Sequence, residues 1–438
     1  MDYSPFRQRR LALLAHMSTV GAGVAVIPTA PEQVRNRDTT FPFRADSYFH
    51  YLTGFPEPGA VLVLVAGEKP GAILFCRDKD ADKEIWDGFR YGPEAACEVF
   101  GLDAAHSIGE FDARLAELLA DQPALWYSLG HDAGWDARIA AALNAVRAQT
   151  RAGKRAPAVI HDVRAALDEM RLVKDAHEIA LMRRAAGIAG AAHRRAMRCA
   201  APGKFEYEVE AEFLHEFRRQ GSQAPSYPPI VAGGANACVL HYVDNNRELR
   251  YGELLLIDAG CEVDGYASDI TRTFPVNGRF SGPQADIYDL VLDAQTAAIA
   301  AIRPGATFLD PHDAAVRVLA QGMIDMKLLD GSLDAAIETE GYKRFYMHRT
   351  SHWLGLDVHD VGEYRHGPGD DGWRKLAPGM TLTVEPGCYI RPADDIPAAF
   401  HNIGVRIEDD ALVTADGCEL LSADTPKTIA DIETLMRE

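Results

Sequence analysis

Residues 253–274 read ELLLIDAGCEVDGYASDITRTF, two runs of β-forming residues around an Asp-Gly pair at 264–265. Asp-Gly is a strong signal for a two-residue turn, so this stretch predicts an antiparallel β-hairpin. With the pair at the centre of the turn, Asp258 lies opposite Thr271. Asp269 is two residues from Thr271, so it shares a face with Asp258, about 7–8 Å away between Cα atoms.

These two aspartates could form part of a cation site or of a solvated surface. Asp258 ends the apolar run LLLI, where an ionised carboxylate is unfavourable to bury. Two close, buried carboxylates repel each other, so either one is protonated or a cation lies between them. The alternative is a surface hairpin with Asp258 solvated at a strand end, which requires no ligand.

A histidine-rich stretch, HRTSHWLGLDVHD, covers residues 348–360. It contains no HExxH motif, and Gly355 is unfavourable inside a helix. By itself the stretch could be a pH-sensitive loop, a proton shuttle or a set of metal ligands. His352 and His359 are seven positions apart, so a straight strand would direct them to opposite faces. A bend at Gly355 is therefore expected if both face one site.

Two more carboxylates interrupt apolar, strand-like runs. Glu385 lies in TLTVEPGCYI (381–390), and Glu408 lies in IGVRIEDDALV (403–413). On a regular strand Glu408 shares a face with Arg406, which usually indicates a surface ion pair of little energetic value. If the four carboxylates instead converge with one imidazole, the set suits Mn²⁺, Mg²⁺ or Co²⁺ and could balance two divalent ions.

The bulk composition describes a globular chain that is long enough for two domains. It has 438 residues, with 47% hydrophobic and 25% charged residues. The net charge of −19 argues against binding to nucleic acid or to an anionic membrane. The seven cysteines form no C-x-x-C pair, which fits free thiols in a reducing, cytoplasmic compartment. No apolar run reaches the ~20 residues of a membrane span.

The pattern of elements changes near a basic Gly/Pro segment, RAGKRAP, at 151–157. Before it, strand-like and helical runs alternate, which predicts an α/β domain. After it, helices and strands are partly segregated, which predicts an α+β domain. The arginine-rich start followed by LALLAHMSTV faintly resembles a signal peptide, but polar residues interrupt it, so a first helix and strand are expected. Helices are predicted over 5–18, 111–120, 134–147, 160–171, 176–200, 205–220, 285–303 and 309–328, and strands over 61–67, 72–76, 124–129 and 253–273.

The motifs in combination resemble one known family. IDAG with a second aspartate eleven residues on, HRTSHWLGLDVHD, VEPG and GVRIED occur in the order typical of Xaa-Pro aminopeptidases and prolidases. RNRDTTFPFRADSYFHYLTGFPEP (35–58) and HYVDNN (241–246) resemble the bacterial aminopeptidase P branch of that family. The resemblance covers essentially the whole chain. It implies a creatinase-like α/β N-terminal domain over 1–172 and an α+β pita-bread catalytic domain over 173–438.

The resemblance also implies a dinuclear metal site, usually with Mn²⁺ and alternatively with Co²⁺ or Zn²⁺. Glu385 would also act as general base, His359 would donate to the scissile carbonyl or tetrahedral intermediate, and His241 would assist near the leaving group. The implied metal ligands are Asp258, Asp269, His352, Glu385 and Glu408.

Further residues are implied to contact the substrate. His348, Tyr389 and Arg406 would line the proline-side pocket, and Arg406 could also orient a carboxylate ligand. Asp38, Trp86 and Tyr227 would reach the substrate from a neighbouring subunit. The family assigns no role to Asp357 and Asp360, for which solvent contact or local turn bonding is expected.

The implied activity is hydrolysis of the bond between an N-terminal residue and a following proline, using a metal-bridging hydroxide. A prolidase restricted to Xaa-Pro dipeptides is the alternative, and a non-catalytic pita-bread binding protein is a third reading. The partners implied are peptides with proline at the second position, with no nucleic acid or membrane, and a homodimer or homotetramer.

Overall fold

The computed structural model describes residues 2–366 and 372–438. The chain divides into two compact units, Met1–Met170 and Arg171–Glu438. Within the described part of the chain, no helix combines the length and the apolar character required to traverse a lipid bilayer.

The first unit is built on a six-stranded mixed sheet with the strand order β6-β5-β4-β1-β7-β8. Its strands are β1 (Gly23–Pro28), β2 (Val34–Asn36), β3 (Thr39–Thr40), β4 (Val61–Val65), β5 (Gly71–Cys76), β6 (Ala104–Ser107), β7 (Ala124–Trp126) and β8 (Val159–His161). The helices are α1 (Ser4–Val20), α2 (Ser47–Thr53), α3 (Ala81–Asp87), α4 (Gly92–Val99), α5 (Phe111–Leu119), α6 (Ala133–Arg147) and α7 (Val163–Leu172), the last of which ends in the second unit.

The arginine-rich start of the chain belongs to the folded part of this unit. Arg10 on α1 is 1% exposed. Its guanidinium donates hydrogen bonds to the carbonyl oxygens of Leu52 at 2.8 Å, Phe100 at 3.0 Å and Gly101 at 2.7 Å. Because these carbonyls replace water around the buried charge, the arginine holds α1 to two other segments.

The second unit distributes its strands over four small sheets, β10-β11-β14, β13-β12-β9, β15-β18-β19 and β16-β17. Its helices are α8 (Ala176–Cys199), α9 (Glu206–Arg219), α10 (Gly282–Ala301), α11 (Asp310–Asp325), α12 (Leu333–Glu338) and α13 (Ile429–Leu435). The strands are β9 (Ala224–Pro225), β10 (Ile230–Gly233), β11 (Leu254–Asp258), β12 (Cys261–Val263), β13 (Tyr266–Ala267), β14 (Thr271–Pro275), β15 (Thr381–Val384), β16 (Gly387–Ile390), β17 (Ile403–Arg406), β18 (Asp409–Val413) and β19 (Cys418–Leu420).

The predicted hairpin has the predicted register. Asp258 pairs with Thr271, and the two residues that flank the turn pair with each other. The hairpin is nevertheless split between two sheets, since β11 and β14 belong to one and β12 and β13 to another. The change of sheet occurs at residues 259–260 and 268–270, which we call the hairpin corner. At Gly260 a Cβ atom would lie 1.7 Å from the carbonyl oxygen of Ser268, so the close approach of the two chains requires glycine.

Helix α8 packs its small residues against this hairpin. It begins with a capping box, in which Asp175 and Glu178 each accept a hydrogen bond of 2.9 Å from the other's backbone N–H. Its buried face is rich in alanine, and the Ala185 carbonyl accepts from the Cys261 thiol at 3.5 Å. The alanines allow the helix to lie close to the strands that carry the aspartates.

Candidate active site

One cavity of about 1080 Å³ in the second unit collects most of the predicted functional residues. Its volume is at the upper end of the range typical for small-molecule and peptide sites. Its lining includes all five predicted metal ligands and also Tyr227, His241, His348, His359 and Arg406.

The four carboxylates lie where strands end. Asp258 is the last residue of β11, Asp269 precedes β14, and Glu385 follows β15. Glu408 lies between β17 and β18, which belong to different sheets. The prediction of one alternating strand over 403–413 is therefore wrong, because the chain changes sheets at Glu408 and turns its side chain into the cavity.

Backbone pairing brings His352 to the same place. Its carbonyl oxygen accepts from the N–H of Thr383 on β15 at 3.0 Å, and the carbonyl of Thr350 accepts from the Glu385 N–H at 2.8 Å. The His352 Nδ1–H donates to the Trp353 carbonyl at 2.9 Å, which leaves Nε2 to face the carboxylates. Such a contact at the remote ring nitrogen is usual for a histidine that ligates a metal.

Three donors form the tightest group. Asp269, His352 and Glu408 each offer a ligand atom, and these atoms lie within 4.8 Å of one another. The His352 Nε2 atom is 3.3 Å from Asp269 Oδ2 and 3.6 Å from Glu385 Oε1. Oxygen-rich donors with one imidazole fit a hard or borderline divalent ion.

Asp258 borders this group and is held by two other side chains. The Tyr227 hydroxyl lies 2.5 Å from Asp258 Oδ1 and also contacts Asp269 Oδ1. Arg406 Nη2 donates to Asp258 Oδ2 at 2.6 Å. Arg406 therefore pairs with Asp258, while Tyr227 touches the predicted ligands of its own chain directly. The expectation that Tyr227 reaches the site from a neighbouring subunit is wrong, because its side chain lines the cavity of its own chain.

Thr271 is a functional residue that the sequence analysis missed, since only its place in the hairpin register was predicted. Its hydroxyl donates to Glu408 Oε2 at 2.6 Å and accepts from Arg406 Nε at 3.2 Å. The Glu408 N–H donates to the Thr271 carbonyl at 3.0 Å. Strand β14 thus fixes both the backbone and the carboxylate of Glu408.

The electrostatics reflect a concentration of buried negative charge. Burial raises the pKa of Glu385 to about 7, and burial together with the charges of Asp269 and Glu385 raises the pKa of Glu408 well above its usual range. Burial also raises the pKa of Asp258. For Asp269, burial acts in the same direction, but the contact with His352 outweighs it and lowers the pKa.

His352 supplies the compensating positive charge. Burial alone would lower its pKa, but the contacts with Asp269 and Glu385 outweigh burial and raise the pKa to about 9. Without metal, protons on His352 and on some of the carboxyl groups therefore balance the site. A divalent cation among the same donors would do so more effectively.

His348, Tyr389 and Arg406 form a hydrogen-bonded chain behind the carboxylates. Arg406 Nη1 donates to the Tyr389 hydroxyl at 2.9 Å, which contacts His348 Nε2 at 2.8 Å. Burial lowers the pKa of His348 to about 3, so its ring is neutral and Nε2 accepts from the tyrosine. Tyr389 is 1% exposed and does not line the cavity. Its hydroxyl holds its two neighbours, and both of these line the cavity.

The two remaining histidines lie at the cavity surface. The His359 ring centroid is 4.1 Å from that of His352, and the backbone bends through residues 355–359, as expected. Burial, and after it the charge of His352, lowers the pKa of His359. His241 lines the cavity from a segment that follows β10.

Asp360 is expected to contact solvent or to form local turn bonds, and the first of these alternatives is wrong, because its side chain is 1% exposed. Its carboxylate is 2.6 Å from Arg171 Nη2 and 2.9 Å from Lys174 Nζ, and all three side chains are 1% exposed. A Cβ at Gly355 would lie 2.1 Å from Asp360 Oδ2, so glycine is required there for close packing. Asp357, which is 39% exposed, also pairs with Arg171 at 2.7 Å.

The two residues that follow Glu408, Asp409 and Asp410, also support the site. The Asp410 carboxylate accepts from the Asp269 N–H, with oxygens at 3.1 and 3.3 Å. Asp409 is fully buried and binds Arg272 Nη2 at 2.7 Å and Lys427 Nζ at 2.7 Å. The sequence signal for these two residues was the presence of further acidic side chains inside an apolar strand. The sequence analysis assigned them no function.

Asp38 and Trp86 belong to the first unit. Both are exposed, Trp86 to 87%. They are not among the described residues that line the cavity.

A cavity lined by four convergent carboxylates, by His352 and by four further histidines (His241, His312, His348 and His359) defines the class of protein, a metal-dependent hydrolase. Comparisons with known proteins narrow this class. Residues 180–415 match metallopeptidase family M24, and residues 6–126 match the aminopeptidase P N-terminal domain.

Individual relatives match over nearly the full length. The chain is 45% identical to an Xaa-Pro aminopeptidase of Escherichia coli (strain K12), over 98% of this chain and 97% of the relative. Its structure resembles that of a Pseudomonas aeruginosa aminopeptidase, with a TM-score of 0.97, 47% identity and coverage of 100% and 98%. It also resembles E. coli aminopeptidase P in a zinc-substituted form in complex with product, with a TM-score of 0.96, 44% identity and coverage of 100% and 98%.

The chain belongs to the M24 metallopeptidase family, as a member of its aminopeptidase P group. The predicted fold class, an α/β N-terminal domain followed by a pita-bread catalytic domain, is thereby confirmed.

Proposed function

We propose that this protein is a metallo-aminopeptidase that removes the N-terminal residue of a peptide when proline follows it. The observation that carries the proposal is the convergence of Asp269, His352 and Glu408, with Asp258 and Glu385 beside them, on one large cavity. The relatives named Xaa-Pro aminopeptidase, which match over nearly their whole length, support the specificity for proline.

We propose that the five ligands hold two divalent ions. Mn²⁺ fits the donor set best, and Co²⁺ and Zn²⁺ are the alternatives. The donor set supports this, since four carboxylates can balance two divalent charges and oxygen donors favour Mn²⁺. When bound, such ions supply Lewis acidity and make an attacking water acidic enough to lose its proton near neutral pH.

Glu385 is the proposed general base. Its carboxylate lines the cavity beside His352, where it can accept a proton from water and pass it to the leaving nitrogen. His359, which lines the cavity, is proposed to donate to the substrate carbonyl, and His241 to assist near the leaving group. A neutral His359, whose pKa burial lowers, can still donate through a ring N–H.

The proposed proline pocket has His348 and Arg406 on its surface and Tyr389 behind them. A bond before proline lacks an N–H, so the protein must recognise the ring by shape and by its carbonyl. Because Tyr389 connects the two other side chains, we assign it the role of fixing them rather than of contacting substrate.

The size of the cavity favours an aminopeptidase over a prolidase. Besides the carboxylates, the lining includes Phe308, Arg349, Tyr364 and Trp373, around a volume of about 1080 Å³. A dipeptide would leave much of this volume empty, whereas a peptide of three or more residues would fill more of it.

The first prediction tests the activity itself. After chelation and re-addition of Mn²⁺, the protein is expected to hydrolyse a Gly-Pro-Xaa tripeptide, to act more slowly on Gly-Pro and to leave Gly-Ala-Xaa intact. Release of glycine measures all three. Cleavage of the dipeptide without the tripeptide would establish the prolidase alternative, and no metal-dependent cleavage of either would contradict the proposal.

The second prediction concerns pH and metal binding. Since the pKa of His352 is raised to about 9, its Nε2 carries a proton at neutral pH that a metal must displace. The affinity for Mn²⁺ is therefore expected to fall by about tenfold or more for each pH unit below 9. Calorimetric titration in buffers of different ionisation enthalpy would count the released protons. An affinity that does not change between about pH 6.5 and 8 would be inconsistent with His352 as a ligand.

We also propose a homodimer or homotetramer in the cytoplasm, with Asp38 and Trp86 reaching the site of a neighbouring subunit. The apolar exposure of α3 and its flank supports an interface, since Ile85 is 80% exposed, Trp86 87% and Phe89 65%. All seven cysteines are free, which supports a reducing compartment. Sedimentation velocity at micromolar concentration would reveal a monomer if the assembly is wrong.

A further inference from the structure

His193 on α8 is completely buried and takes no part in the proposed chemistry. Its side chain is 0% exposed, and its Nε2 lies 3.3 Å from the Ala259 carbonyl oxygen and 3.0 Å from the Ile270 carbonyl oxygen. Its Nδ1 has no hydrogen-bond partner within the described residues. Because both neighbours of Nε2 are acceptors, this nitrogen carries a hydrogen and donates to the two carbonyls.

Both carbonyls belong to the hairpin corner. Ala259 follows the predicted ligand Asp258, and Ile270 follows the predicted ligand Asp269. The histidine therefore contacts the backbone of each strand one residue beyond a carboxylate that faces the cavity.

The regular backbone hydrogen bonds between the two hairpin strands are interrupted where this contact lies. The β11–β14 pairing ends at Asp258 and Thr271, and the β12–β13 pairing begins at Glu262 and Ala267. In the corner the Ala259 N–H donates to the Ile270 carbonyl at 3.1 Å, while the Asp269 N–H is directed to Asp410. The imidazole thus supplies a donor that a continuous antiparallel ladder would have supplied from backbone.

We propose that His193 is a positioning residue for the metal centre, which joins the two strands of the hairpin corner so that Asp258 and Asp269 face one point. This inference rests on the proposed function. The histidine acts through the backbone, since its ring touches neither carboxylate. The Phe213 ring packs edge-on against the imidazole, at 4.8 Å between centroids and 89° between planes, but makes no hydrogen bond to it.

The imidazole is suited to this place because it is rigid and reaches both acceptors. Small residues of α8 bring the helix close to the corner, and a flat ring with one donor at its tip fits between two converging carbonyls. Loss of the donor would leave the Ala259 carbonyl buried without this partner, and the strands could separate until the two carboxylates no longer converge.

The test compares metal affinity with stability. Full-length protein is stripped of metal, titrated with Mn²⁺ by calorimetry, and assayed at increasing Mn²⁺ concentrations. H193L is expected to bind Mn²⁺ about 10–100-fold more weakly than wild type, with activity that rises towards the wild-type value as Mn²⁺ saturates. H193Q, whose amide nitrogen lies about as far from the backbone as Nε2, is expected to restore most of the affinity.

The matched control is F213L, which loosens the same packing but leaves the donor in place. It is expected to lower the melting temperature while Mn²⁺ affinity stays at the wild-type value. Wild-type affinity in H193L, or an equal loss in F213L, would overturn the positioning role. If H193L does not fold, H193N replaces it, because its shorter amide cannot reach both carbonyls, and the same loss is expected. A wild-type protein that binds no Mn²⁺ would instead overturn the proposed function.

Discussion

Replacement of Glu385 by glutamine is expected to lower kcat for a Gly-Pro-Xaa tripeptide by about 10²–10⁴-fold, the usual contribution of a general acid-base group. Glutamine has nearly the same shape, so it fills the same place beside His352, but it cannot accept a proton. Because the proton transfer occurs in the transition state, KM is expected to change little while kcat falls.

The control for this variant is E338Q, the same substitution at an exposed glutamate near the end of α12. It is expected to retain the wild-type kcat. Steady-state kinetics at saturating Mn²⁺ separates loss of the base from loss of metal. A kcat of E385Q within about threefold of wild type would exclude Glu385 as the base.

Replacement of Asp360 by alanine is expected to destabilise the protein by about 3–5 kcal/mol, the usual effect of removing one partner from a buried ion pair. Arg171 Nη2 and Lys174 Nζ lie 2.6 and 2.9 Å from its carboxylate, with 1% exposure of each side chain. Burial raises the pKa of Asp360, but the two cations outweigh it and lower the pKa. The ion pair therefore stabilises the folded protein at neutral pH. This stabilisation is lost only as the pH falls below the ordinary pKa of an aspartate and through the lowered pKa of Asp360.

Thermal unfolding of D360A is expected to occur about 10 °C lower than in wild type, given the size of the second unit. The matched control is D357A, which removes another partner of Arg171 that is 39% exposed. Because solvent screens this pair, its loss is expected to change stability by less than about 1 kcal/mol. Equal shifts in the two variants would refute the special importance of the buried pair. Activity of D360A is also expected to fall, since His359 precedes Asp360.

Local patterns in the sequence were sufficient for the hairpin and for the longest helices. The Asp-Gly turn fixed the pairing of Asp258 with Thr271, since turn chemistry and side-chain alternation depend on neighbouring residues only. Helix α8 was predicted over 176–200 and observed as Ala176–Cys199, because its periodicity is long and its capping signals are local. The short elements β6, β8, α3 and α4 were not predicted, because few residues carry their pattern.

The same limit explains the errors at the site. The strand over 403–413 appeared continuous because its alternation is regular, yet it changes sheets at Glu408. Tyr389 was assigned to the substrate pocket, and Asp360 to solvent or to local turn bonding, and both side chains are buried. Their partners lie far away in the chain, 17 residues in the case of Arg406 and 189 in the case of Arg171.

The sequence alone determined which residue types carry the chemistry, their order, and the register of the strands that present two of them. These features could be predicted because carboxylates in apolar strands, and the turns between the strands, form patterns among residues that are close together in the sequence. Only the tertiary structure decided which hydrogen bonds hold the site together. Arg406 binds Asp258, Thr271 binds Glu408, Asp410 binds the backbone N–H of Asp269, and His193 bridges the hairpin corner. Those choices depend on how separate segments pack, because a hydrogen bond forms only where folding brings donor and acceptor within about 3 Å of each other.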